Sequence, residues 1–125
     1  MPQQRDFFDQ ADAMLGLYAE ARYDQALRLA EQLALDFPRE AASTTLWRIC
    51  LLSRVGRTDE ALRLMSQALQ QGLWWEQRVL RDDDDLAALQ GLPAYETMLA
   101  ECQRRRDALV CSMQTAFVVA ASILL

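Results

Sequence analysis

Two stretches decide the fold: YDQALRLAEQLALDFP at residues 23–38 and TDEALRLMSQALQQ at residues 58–71. They share the block D-[QE]-A-L-R-L, and Ala26 and Ala61 within it lie 35 residues apart. A period in the mid-thirties holds two helices per unit and is the spacing of a stacked helical-repeat array. The alanines have a packing reason to be small. They sit where two antiparallel helices pass closest, and overpacking there typically costs about 1–3 kcal/mol.

Outward from these blocks, apolar residues continue at three- and four-residue steps. Phe7, Phe8, Ala11, Met14, Leu15 and Tyr18 give one broad apolar face to a helix from about Arg5 to Ala21. Tyr23 and Asp24 open a second helix, with Ala26, Leu27, Leu29, Ala30, Leu33 and Leu35 inward. Pro38 stops it, because Phe37 before a proline is pushed out of the helical region. A third helix from about Ala41, apolar nearly all round, is expected at the centre, and Gly56 ends it. Thr58 reads as the N-cap of a fourth helix with acids in its first turn, and Gly72 as its stop.

Composition narrows the function. The chain has 125 residues, room for one domain, and a formal net charge of -5. That balance argues against nucleic acid as a partner, whose phosphates need a basic stripe. Arg104, Arg105 and Arg106 are offset by the aspartate run at residues 82–85. The sequence holds no histidine, which removes His-based metal sites and the Ser-His-Asp and Cys-His pairs. Cys50, Cys102 and Cys111 are odd in number, lack C-x-x-C spacing and read as reduced thiols in a cytosolic compartment. The N-terminal residues show an early acid and no apolar run of the secretory kind.

Features that invite chemistry have plainer readings. A calcium loop needs Gly at its sixth position and Glu at its twelfth. Counting from Asp82 those places hold Ala87 and Pro93, and from Asp83 they hold Ala88 and Ala94. The run instead suits the cap of a helix before Leu86. Trp74 and Trp75 could stack on a ligand, but such a pair more often buries one ring and leaves the other partly exposed. With no phosphate loop or nucleophile elbow, no catalytic residue, cofactor or metal is expected.

The layout resembles a tetratricopeptide repeat. Tyr23, Asp24, Ala26, Leu33 and Pro38 carry the likeness in the first unit, and Leu52, Gly56, Asp59, Glu60, Ala61 and Ala68 in the second. Departures are Ala13 and Met14 in the first helix, Thr58 in place of the tyrosine, and Leu73 where a proline closes the unit. Asp83, Asp85, Leu86, Leu89, Pro93, Tyr95 and Leu99 resemble the irregular unit that ends bacterial tetratricopeptide-like domains. The resemblance implies a right-handed α-α superhelix of stacked antiparallel helix pairs over residues 1–107. It also implies a groove in which Phe8, Leu15, Tyr18, Leu46, Cys50, Ser53 and Arg54 face a protein or peptide partner. Arg54 could pair with a partner carboxylate or be a solvated surface arginine. A carboxylate clamp of the chaperone-tail kind is not expected, because the chain has no lysine and no asparagine.

Residues 108–125 read ALVCSMQTAFVVAASILL, without a charge. Leu109, Val110, Phe117, Val118, Val119, Ile123, Leu124 and Leu125 are its large apolar side chains. Burying them would be worth on the order of 12–24 kcal/mol. Three readings stand: a last helix that folds back into the groove or pairs with another copy as a homodimer; a membrane tail over residues 109–125; or the edge of a fragment whose next domain begins here. The expectation is an all-α, non-catalytic protein-interaction scaffold in the cytoplasm. Its alternatives are a membrane-tethered adaptor facing the cytoplasm and the N-terminal regulatory module of a larger enzyme.

Overall fold

The computed structural model describes the backbone of residues 4–124 and the side chains of residues 4–122. It is all-α: among the described residues there is no strand. Six helices follow one another: α1 (Gln4–Ala19), α2 (Tyr23–Asp36), α3 (Ala41–Arg54), α4 (Thr58–Gln70), α5 (Gln77–Asp82) and α6 (Pro93–Leu124). Short 3-10 turns at Pro38–Glu40 and Asp84–Leu89 link α2 to α3 and α5 to α6.

The sequence duplication is visible in the backbone. Ala21 and Gly56, 35 positions apart, are both left-handed, with φ of 58° and 82°. After each, the next amide donates back across the turn: Arg22 N–H to the Leu17 carbonyl and Arg57 N–H to the Leu52 carbonyl, both at 2.9 Å. This six-to-one closure satisfies a carbonyl left over at a helix end and reverses the chain. α1 then packs on α2, α2 on α3, and α3 on α4.

α3 is the centre, as its composition requires. Thr44, Thr45, Ile49, Cys50, Leu51, Leu52 and Ser53 are all buried along it. Thr44, fully buried, turns its hydroxyl onto the Glu40 carbonyl at 3.2 Å. Ala26 and Ala61 are fully buried, in keeping with a close helix approach.

Some expected contacts are absent. On α1 only Phe7, Ala11 and Met14 are buried, while Phe8 and Leu15 are exposed, so its inward face is narrower than the apolar pattern. Leu35 is exposed because α2 buries Ala26, Leu27, Ala30 and Leu33 instead. Thr58 is the first residue of α4, not its cap. The cap position is Arg57, whose side chain pairs with Glu60 at 2.6 Å.

After α4 the chain departs from simple stacking of pairs. Trp74 and Trp75 are both half-buried, rather than one in and one out. Trp75 Nε1 donates to the Ala42 carbonyl at 3.0 Å and holds the connection on the start of α3. α5 is tied to α6 by Tyr95, whose buried hydroxyl donates to the Leu80 carbonyl at 2.7 Å. The 3-10 turn Asp84–Leu89 then returns to pack on α3, with Leu86 and Leu89 fully buried.

α6 is one helix of 32 residues and runs straight through the boundary expected at residues 107 and 108. Its first part packs on α4 and α5. From Asp107 to Ala120 every residue is exposed, so this arm does not fold back over α1 and α3. A groove return would need a break in α6, and no Gly or Pro lies in residues 94–124 to make one. The side chains of Ile123, Leu124 and Leu125 lie outside the described residues. Among the described residues no helix is long and apolar enough to cross a membrane.

Candidate functional site

The cleft beside the central helix has a volume of about 200 Å³. Leu15 and Tyr18 from α1, and Leu46 and Cys50 from α3, line it together with Asp83 and Asp85. The two aspartates come from the turn that returns to α3. Asp83 sets that turn: its Oδ1 accepts from the Asp85 amide at 2.9 Å, which caps the 3-10 helix. Four of the seven groove residues expected from sequence therefore meet in one cleft, beside carboxylates that were expected only to cap a helix.

The other three lie apart from the cleft's lining. Phe8 is 58% exposed and stacks edge-on against Phe7. Ser53 is buried and does not line the cleft. Arg54 stands at the rim with its guanidinium already engaged. Its Nε donates to Asp85 Oδ1 at 2.5 Å, and its Cζ lies 5.6 Å from the centre of the Tyr23 ring. The carboxylate it could have taken from a partner is supplied from within the chain.

Asp85 is the hub. The same Oδ1 accepts from Tyr18 Oη at 2.6 Å, so a phenol and a guanidinium converge on one carboxylate oxygen. Only 13% of the Asp85 side chain is exposed, a setting in which charge-assisted bonds are strong. The bond to Asp85, followed by burial, raises the Tyr18 pKa above its usual value. Cys50 Sγ lies 3.8 Å from Asp83 Oδ2. Burial first, then the Asp83 and Asp85 charges, push its thiol well above the ordinary range.

This arrangement is poorly suited to chemistry. A nucleophilic cysteine needs a lowered pKa and a base, and Cys50 has the reverse. Cys50, Asp83 and Asp85 could offer ligand atoms within 4.8 Å of one another. A divalent cation there would compete with Arg54 for Asp85 and would require the suppressed thiolate. The cluster reads as a latch joining the start of the chain to the returning turn. A larger hollow of about 800 Å³ between residues 76–78 and α6 is lined mostly by charged and amide side chains, with Val110 and Cys111 beside them; Arg106 pairs with Glu76 among them.

The family described as A/B hydrolase-like, N-terminal domain matches residues 8–109. No curated protein and no solved structure matches the chain. The family match corrects the resemblance to tetratricopeptide repeats, and with it the reading of a free-standing repeat scaffold with a peptide groove. The 35-residue period encodes a helix hairpin with a set closure, and it specifies that local geometry without specifying a family. By a match that covers most of its length, the chain belongs to the family of A/B hydrolase-like N-terminal domains.

Proposed function

We propose that this chain acts as the non-catalytic, N-terminal helical module of a hydrolase-like enzyme in the cytoplasm, with the bond-breaking chemistry carried by a separate catalytic domain. The family match over residues 8–109 carries this reading. The chemistry of the cleft supports it, since Tyr18, Arg54 and Asp85 occupy one another and Cys50 is held as a thiol. A reducing compartment suits the free thiols Cys50, Cys102 and Cys111.

An antibody raised against this chain tests the proposal in extracts of the native cells. The expected band is heavier than the chain's 14.3 kDa by at least one further domain, typically about 100–150 residues. The immunoprecipitate is expected to hydrolyse p-nitrophenyl esters, while the isolated chain is inert toward them. A lone band at 14.3 kDa, with no esterase in the precipitate, would overturn the reading.

A further inference from the structure

The cleft beside α3 has apolar walls and one charge that no side chain balances. Met14 from α1 and Leu46, Trp47 and Leu51 from α3 stand in its lining with Asp83 and Asp85. Asp85 is matched, since Arg54 donates to its Oδ1 at 2.5 Å and Tyr18 to the same oxygen at 2.6 Å. Asp83 is not. Among the described residues no basic side chain pairs with it. Its Oδ1 accepts from the Asp85 amide at 2.9 Å, and its Oδ2 faces the Cys50 thiol at 3.8 Å. A thiol is a weak donor, so this carboxylate has lone pairs left for a stronger one.

Size and charge together narrow what fits. The cleft's volume of about 200 Å³ falls below the range of drug-sized ligands, roughly 300 Å³ and more. At about 30 Å³ per water it has room for roughly seven non-hydrogen atoms. A divalent cation would compete with Arg54 for Asp85, whereas a single positive charge equals the surplus and leaves the latch in place. A peptide along α1 and α3 would need further subsites, yet Phe8 and Ser53 stand outside the lining and Arg54 is taken.

We infer that the cleft binds a free primary alkylammonium ion, with its ammonium on Asp83 and its short apolar stem between α1 and α3. An ammonium brings three N–H donors, and its bond to a carboxylate is charge-assisted. The stem leaves water for the apolar walls. The chain's net charge of -5 draws a cation toward it.

Titration of n-pentylamine into the ¹⁵N-labelled chain at pH 7, followed by amide shifts, tests this. Pentylammonium has six non-hydrogen atoms, and 1-pentanol is its neutral match. The amine is expected to bind at least about tenfold tighter than the alcohol, the worth of one hydrogen bond to a charged group. Its saturating shifts are expected to centre on Tyr18, Cys50 and Asp83. Asp83→Asn keeps an acceptor for the turn and removes the charge, and is expected to bring the amine down to the alcohol's affinity. Asp82→Asn removes the same charge from an exposed neighbour outside the lining, and is expected to leave binding within about twofold. Nα-acetyl-lysine N-methylamide carries the same ammonium on a peptide unit and is expected to bind more weakly, because its amides would press on apolar walls. Equal affinity for amine and alcohol, an Asp83→Asn chain that binds as before, or an equal loss in Asp82→Asn would each overturn the inference. So would a lysine derivative that binds as tightly as the amine. None of these outcomes depends on whether the chain serves a hydrolase.

Discussion

Tyr18 and Asp85 stand 67 positions apart and meet through a hydrogen bond of 2.6 Å. This contact joins the end of α1 to the turn that follows α5, with α3 between them supplying Arg54 to the same oxygen. It turns an array of successive helix pairs into a closed unit, because the late chain is fastened to the first helix.

Removing either partner is expected to weaken that closure. Tyr18→Phe should lower the unfolding free energy by about 1 kcal/mol, the usual net worth of such a bond. Asp85→Ala should cost about 1–3 kcal/mol, since it leaves the phenol and the guanidinium without their acceptor. In urea titrations the double variant should lose less than the sum of the two. Strict additivity to within about 0.3 kcal/mol would mean the residues are not coupled.

The left-handed turn at Ala21 carries a cost that its counterpart at Gly56 does not. A residue with a Cβ in that region is strained by roughly 1–2 kcal/mol, offset in glycine by its freer unfolded chain. Ala21→Gly is therefore expected to stabilise the domain by about 0.5–1 kcal/mol, and Gly56→Ala to destabilise it by about 1 kcal/mol. Thermal melts of the two variants should move in opposite directions. Shifts of the same sign would show that the turns are not equivalent.

Glu101 links stability to pH. Arg104 first, then Arg105, hold its carboxyl down from the usual 4.5 to about 2. A depressed folded-state pKa adds stability above the unfolded value and loses it as protons bind the folded state. The contribution should be full above pH 4.5 and fade as pH falls toward about 2. Glu101→Gln is expected to melt below the wild type at pH 6 and together with it near pH 2. A gap between the two melts that stays constant with pH would refute the assignment.

The thiols should separate by accessibility. Cys111 is exposed, whereas Cys50 and Cys102 are buried with thiols held above their ordinary pKa, in both cases chiefly by burial. Reaction with Ellman's reagent at pH 8 is expected to modify one thiol fast and two slowly, all three becoming equal in denaturant. Fast labelling of Cys50 would mean that the cleft opens readily.

Much of the fold is legible in the residues. The repeated D-[QE]-A-L-R-L block marks two helix pairs, Phe37–Pro38 ends α2, and the aspartate run sets a capped turn at Asp83. Each of these is a local signal that acts through nearest neighbours along the chain. Leu35, an apolar residue at helical spacing that was expected inward, nonetheless faces water. Periodicity gives the direction of a face but not how much of it a neighbour covers.

The family lay beyond the period for the same reason. A 35-residue spacing constrains how one pair of helices closes, and Ala21 and Gly56 share that closure whatever family contains them. Sequence by itself determined the first four helices to within about two residues at their ends, the central place of α3 and the absence of histidine from any site. Tertiary structure alone decided that Asp85 fastens to Tyr18 and Arg54, that Cys50 is buried beside Asp83, and that α6 continues outward as an uncovered arm. Those outcomes depend on contacts between segments 30 or more positions apart, whose energies no local pattern records.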